Sequence, residues 1–283
     1  DSAFTEWLNT SCSFHSTLVD RIVPGYPRDD IETYNAQLDY KDNLIVAAEV
    51  FLLWVIEGGE DLKQKLPFHK TNLDVKIVDD MQPYRTRKVR ILNGAHTSMV
   101  PFSFLYGNET VKETIDNAFT GAFVNKTIFE EINEVLPMNR SELDSFAEEI
   151  LDRFRNPFIK HKLADIALNS ISKFKVRVLP SLLEFEAKNG KLPTNLTFSF
   201  ACLIRFYKGT WNGNDLPIKD NDDIVTNFSN IWQNEDYNVI ANLVLANQDY
   251  WDDDLTRIKN LSTAIAFALA EIDTNGIEYG FEN

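Results

Sequence analysis

In the stretch KVRILNGAH, Lys88, Asn93 and His96 place a proton carrier and two hydrogen-bond donors close together in the chain. On a helix Asn93 and His96, three apart, share a face. Lys88 stands about two turns before His96, and its long stem reaches the same patch. Gly94 costs a helix about 1 kcal/mol against Ala, and the close approach of another backbone or a ligand is a reason to keep it. A lysine whose pKa is lowered by burial and by the cations Arg85, Arg87 and Arg90 can protonate an alkoxide and take the proton back from an alcohol. An Asn amide and an imidazole N–H can hold the developing oxyanion. That is the chemistry of a carbonyl/alcohol redox centre, and it needs no metal. The same residues also have a plain structural reading: a solvated lysine, and an Asn and a His that cap or hydrogen-bond in a core.

The elements that must position these residues are mostly helical. From Pro83 the stretch YRTRKVRILNGAHTSMVPFSFLYG reads as one long helix that Pro101 kinks or ends and Gly107 closes. TVKETIDNAFTGAFVNKTIFEEINEVL is amphipathic at helical period. NRSELDSFAEEILDRFRN starts a helix with Ser141 as the expected cap, and a later helix is expected to end at Asn189-Gly190. LPTNLTFSFACLIRFYKG reads as a buried helix, NGNDLPIKDNDD as a polar loop, and the tail as further helices anchored by Trp232 and Trp251. The front of the chain is mixed: LDVKIVDD reads as a strand, whereas NLIVAAEVFLLWVIEGG suits either strand or helix. The expected fold class is therefore mainly α, with a mixed α/β region over residues 1–80 and a helical substrate and catalytic domain over 81–283.

Composition narrows the function classes. The net charge of -15 lacks the basic footprint that nucleic acid requires, and suits a solvated cytoplasmic surface. No apolar run is long enough to span a bilayer. Cys12 and Cys202 have no metal-ligand spacing and read as reduced core thiols. Asp79 and Asp80 invite a metal reading with His96, but an aspartate pair after a strand is commonly a helix cap. Phosphate-binding GxGxxG and GxxxxGK[ST] runs are absent, as are HExxH and GxSxG. The chain starts at DSAFTEWL without an initiator Met or a targeting pattern, so it reads as part of a longer polypeptide whose nucleotide-binding half lies elsewhere.

KVRILNGAH resembles the K-x4-N-x2-H signature of the polyol-specific long-chain dehydrogenases, the mannitol dehydrogenase family. TLVDRIVPGYPRD, WVIEG, VDDMQPYRTRKVRILNGAHT, FRNPFIKH and SKFKVRVLP, in that order across most of the chain, resemble its hexuronate-acting branch. The resemblance implies an NAD-dependent, metal-free oxidoreductase that interconverts tagaturonate and altronate. It implies a helical bundle related to the C-terminal domain of 6-phosphogluconate dehydrogenase, partnered by an N-terminal Rossmann-type domain that holds NAD. It makes Lys88 the general acid/base, has Asn93 and His96 polarise the carbonyl, and makes Lys173 a substrate contact. Ser16 stands where the family usually carries an Asn oxyanion partner, and Asp165 where polyol-acting relatives carry Arg. A hexuronate carboxylate calls for a cation beyond Lys88, and the candidates are Arg85, Lys173 and Arg177. Asp20 and Arg21 read as a buried pair, and Glu57 as a residue lining the cleft. Without its nucleotide domain the chain alone is expected to be inactive. The alternatives are a fructuronate reductase, a mannitol-type polyol dehydrogenase, or a helical interaction module with no chemistry.

Overall fold

The apolar stretch before Gly58 resolves into a short strand of a small sheet. The computed structural model describes residues 1–282, and the chain divides into two compact units, Asp1–Lys88 and Val89–Asn283. The first contains α1 (Ser2–Ser11), β1 (Thr17–Asp20), α2 (Ile31–Asn35), β2 (Leu53–Glu57), α3 (Glu60–Lys65), β3 (Val75–Val78) and α4 (Gln82–Arg87). The central strand β2 pairs antiparallel with β1 (Thr17 opposite Ile56) and parallel with β3 (Trp54 opposite Val75). Within β2 Leu53 and Val55 are buried, and they meet Met81, Leu18, Phe51, Val78 and Tyr84 in the core of this unit. Upstream of β2 the chain is irregular, with Leu44 and Val50 exposed.

The end of β2 is tied to the start of α4, where a Glu57 carboxylate oxygen accepts from the Met81 N–H at 3.2 Å. Asp80, one residue before the Met81 N-cap of α4, accepts from the Gln82 N–H at 2.8 Å. The pair Asp20–Arg21 needs correction: Asp20 is buried but Arg21 is exposed, and its Nε donates to the Glu49 carbonyl at 2.8 Å. Cys12 is half-buried rather than a core thiol, whereas Cys202 is fully buried.

The second unit is helical. A π-helical turn, Lys88–Asn93, leads out of α4 into α5 (Gly94–Tyr106), which carries Pro101 inside it and ends at Gly107 with φ 116°. Then come α6 (Val111–Asp116), α7 (Ala118–Lys126), a second π-helical turn (Thr127–Ile132) and α8 (Asn133–Val135). The single amphipathic run expected here is thus cut at Asn117, whose side chain caps α7 through the N–H groups of Phe119 and Thr120. Next are α9 (Arg140–Phe154), α10 (Leu163–Ile166), α11 (Ser170–Arg177), α12 (Leu179–Asn189) and α13 (Thr194–Phe206). Asn139, not Ser141, caps α9, since it can accept from both the Ser141 and Glu142 N–H groups. Gly190 closes α12 with φ 65°, as expected.

The region read as a polar loop contains a hairpin, β4 (Thr210–Trp211) and β5 (Asn214–Asp215). Its Asn212-Gly213 turn has φ 50° and 80°, the two positive angles that a tight primed turn needs. The chain ends with α14 (Asp222–Ile231), α15 (Tyr237–Leu245), α16 (Gln248–Trp251) and α17 (Leu261–Glu282), the last interrupted at Gly276. Helix α13 is buried along nearly its whole length and packs against α5 and α17. Trp251 anchors this core against Phe174 and Phe200, while Trp232 is only partly buried. No helix among the described residues is long and apolar enough to cross a membrane.

Glu131 caps α13 from the second π-helical turn: its two carboxylate oxygens accept from the Asn195 and Leu196 N–H groups, each at 2.8 Å. Burial lifts its pKa from 4.5 to about 7, against the opposing pull of those N–H groups. With a folded pKa above the unfolded one, the folded state binds the extra proton between these values, so stability falls as pH rises through that window. The loss is on the order of 3 kcal/mol. Urea unfolding at stepped pH is expected to show this slope in the wild type and to lose most of it in Glu131→Gln. Equal slopes in the two proteins would assign the pH dependence to other groups.

Candidate functional site

The sequence spacing assumed a regular helix through KVRILNGAH, and the structure departs from it. Residues Lys88–Asn93 form a π-helical turn, in which backbone groups five apart, rather than four, hydrogen-bond along the helix. Lys88 and Asn93 are the two ends of that turn. Lys88 is the last residue of the first unit, which also holds Ser16 and Arg85; Asn93, His96, Lys173 and Arg177 belong to the second.

The basic cluster has divided duties. Arg90 is buried and donates to Ser181 at 2.7 Å and to both oxygens of Glu184 at 3.0 and 2.7 Å. It thereby fastens the π-helical turn to α12. The Arg87 guanidinium lies 5.8 Å from the centre of the Tyr84 ring. Arg85 is exposed on α4. Ser16 is exposed just before β1, and its carbonyl accepts from the Glu57 N–H at 2.9 Å.

The second unit brings the start of α5 against α11. A Cβ added to Gly94 would lie 3.0 Å from the Arg177 carbonyl oxygen. The glycine therefore serves the close approach of another backbone, one of the two reasons its sequence suggested. Gly94→Ala is expected to cost about 1–3 kcal/mol, the range for a small overpacking that moves backbone. Thermal unfolding would check it, and an unchanged Tm would show that α11 yields freely.

His96 is buried. Its ring stacks on Phe154 at 4.1 Å and 28°, and meets the ring of His161 edge-on at 4.9 Å and 79°. The neighbouring Thr97 hydroxyl lies 3.5 Å from the Arg177 guanidinium. Arg177 is partly buried, which lowers its pKa. Lys173 lies one turn earlier on α11 and donates to the Ile166 carbonyl at 2.9 Å. Burial and then the charge of Arg177 lower the Lys173 pKa, opposed by Asp220. Among the described residues neither cation forms an ion pair, whereas Lys175 between them pairs with Asp252 at 2.6 Å. The first turn of α11 is held in place by Asp220, which accepts from Tyr207 and lies 3.5 Å from the Ile171 N–H. A pair of partly desolvated cations that form no ion pair among the described residues, on a helix packed against α5, suits an anionic, oxygen-rich ligand.

His161, Phe154 and Thr97 went unassigned at the level of sequence. His161 stands in the FRNPFIKH motif, the one signal that could have singled it out. No group of three or more His, Cys, Asp or Glu among the described residues is arranged to hold a metal ion.

The passage from β2 through Gly58-Gly59 into α3 is a glycine-bearing strand-to-helix turn of the first unit. That helix has only six residues and opens on Glu60 and Asp61, whose charges repel phosphate. A Cβ on Gly58 would meet the Leu62 Cδ2 at 2.5 Å, so this side chain of α3 lies over the glycine. These residues do not fit a pyrophosphate.

Residues 80–273 match the family model of the mannitol dehydrogenase C-terminal domain, and residues 1–70 match that of the mannitol dehydrogenase Rossmann domain. The chain belongs to the mannitol dehydrogenase family. Its similarity within that family lies with the altronate oxidoreductases. It is 44% identical over 281 residues to the altronate oxidoreductase of Yersinia enterocolitica, covering 98% of this chain and 58% of that protein. It is 45% identical over 280 residues to that of an Escherichia coli strain, covering 97% of this chain and 58% of the other. The chain thus spans a little over half the length of these relatives. The Pseudomonas fluorescens mannitol 2-dehydrogenase, solved as a ternary complex with NAD and D-mannitol, superposes with a TM-score of 0.81 at 21% identity, covering 100% of this chain and 56% of that one. A substrate-free D-sorbitol dehydrogenase gives 0.77 at 20%, covering 99% and 57%. At these identities the two structures speak for the fold. The match over residues 1–70 corrects the expectation that the nucleotide-binding domain lies wholly outside this chain as a separate partner.

Proposed function

We propose that this chain carries the substrate side of an NAD-dependent oxidoreductase that interconverts altronate and tagaturonate. The observation that carries the reading is the 44% identity to altronate oxidoreductases over 98% of the chain, running through KVRILNGAH. The unpaired cations Lys173 and Arg177 beside α5 favour a hexuronate over a neutral polyol. The helical unit is proposed to share its general build with the C-terminal domain of 6-phosphogluconate dehydrogenase.

The bound nicotinamide would take the hydride in oxidation, and this chain's residues handle the oxygen and its proton. The neutral amine of Lys88 accepts the hydroxyl proton as the carbonyl forms. The Asn93 amide and a His96 ring N–H donate to that oxygen and stabilise the charge it carries on the way. In reduction the Lys88 ammonium returns the proton. Ser16 is proposed as a further donor to the same oxygen, with a shorter reach than the Asn usual in the family. Arg85, Lys173 and Arg177 are the candidate grips on the carboxylate.

The test is NADH formation by the purified full-length protein with altronate and, separately, with mannitol. Altronate is expected to be strongly preferred. Equal turnover of mannitol would move the assignment to a polyol dehydrogenase. No turnover of any hexonate or polyol would favour a helical module without chemistry.

A further inference from the structure

The ring of His96 is enclosed on two sides by residues that the reaction as derived does not use. Phe154, the last residue of α9, lies against its face, and His161 presents an edge to it from the segment between α9 and α10. Phe154 is buried and His161 half-buried. His161 is also fixed through its backbone, because its carbonyl accepts from the Val111 N–H at the start of α6 at 3.0 Å. The ring is therefore anchored to a neighbouring helix and is not on a free loop. We propose that His161 is the positioning residue for His96: its ring edge and the face of Phe154 form a clamp that holds the His96 imidazole in the plane from which it donates to the substrate oxygen.

An imidazole that must donate to a developing oxyanion loses its effect if it swings about χ2, since such donors act through preset direction. Face and edge contacts at these separations fix two different rotations of the ring. Burial holds the His161 pKa at about 4, with Asp165 pulling the other way, so at neutral pH its ring places no positive charge beside His96. A neutral aromatic edge is what a clamp requires, and Phe should supply one nearly as well. A proton-transfer role for His161 would not survive that change.

This inference rests on the proposed role of His96, so the experiment reads the two separately. Full-length wild type, His96→Ala, His161→Ala, His161→Phe and His161→Gln are compared in altronate oxidation and in near-UV circular dichroism. The Cε1–H resonance of His96 is followed by NMR. His161→Ala and His161→Gln are expected to lower kcat about tenfold or more, as misplacement of a catalytic group does, with KM changed far less. Their His96 resonance should shift and broaden, while His161→Phe stays within about threefold of wild type and keeps it sharp, because the ring edge is preserved. An inactive His96→Ala beside fully active His161→Ala and His161→Gln would overturn the clamp alone. So would a folded His161→Phe as impaired as His161→Gln. A fully active His96→Ala would overturn the reading of His96, and the clamp with it. If His161→Ala does not fold, the contrast of Phe with Gln decides.

Discussion

Under the proposed function, Lys88→Ala in the full-length protein is expected to lower kcat for altronate oxidation by about 10²–10⁴-fold, the usual contribution of a positioned general acid/base. KM should move far less, because proton transfer belongs to the transition state and contributes little to ground-state binding. Lys88 closes the first unit and opens the π-helical turn that ends at Asn93. The prediction has a second part. Asn93→Ala, which leaves Lys88 and the turn in place, should also reduce kcat, by about 10²–10³-fold, the scale for removing one oxyanion donor. Steady-state kinetics on the two variants, with circular dichroism to confirm folding, would check this. A Lys88→Ala enzyme with near-full turnover would make Lys88 a surface cation and leave the proton without a carrier.

The outline of the helical unit was legible where a local signal governs a local outcome. Gly107 and Gly190 end helices because only glycine adopts their positive φ without strain, whereas Pro101, expected to kink or end the helix, lies inside α5, which runs on to Tyr106. Gly94 announced a close approach, although the sequence could not say that the Arg177 carbonyl makes it. The π-helical turn was not legible, because its residues favour an ordinary helix equally well. The partners that fasten it, Ser181 and Glu184, lie about ninety residues downstream of Arg90. The same distance in sequence hid the role of Arg90, which looked like one of four equivalent cations. His161 was overlooked because its meaning depends on a ring contributed 65 positions earlier. The Asn212-Gly213 hairpin was readable by its turn residues, but its two-residue strands are too short to show alternation.

The selection of an anionic substrate yields the other large effect. Three cations were candidates, and the structure places them differently. Arg85 is exposed on α4, whereas Lys173 and Arg177 sit on one face of α11, both with pKa values lowered by burial. A desolvated cation without a counter-ion is unfavourable in the empty protein, and an arriving carboxylate relieves that cost. Lys173 already donates to the Ile166 carbonyl, which leaves it less free to turn; Arg177 touches Thr97 only at 3.5 Å. Arg177 also offers a planar fork that grips both carboxylate oxygens. Arg177→Met, which keeps much of the packing volume, is accordingly expected to raise KM for altronate about 10²-fold, the scale for losing one partner of a partly buried hydrogen-bonded charge pair. Arg177→Lys should recover part of the charge but not the fork, and fall between the two. Lys173→Met should have a smaller effect, and Arg85→Met the smallest of the three. Turnover of mannitol, which has no carboxylate, should change little in any of them. Measuring KM for altronate and for mannitol across this series isolates the carboxylate contact from general damage to the site. If Arg177→Met weakens both substrates alike, Arg177 supports α5 without touching ligand; if it weakens neither, the half-buried cations of α11 do not select the substrate, and the hexuronate assignment loses its physical basis.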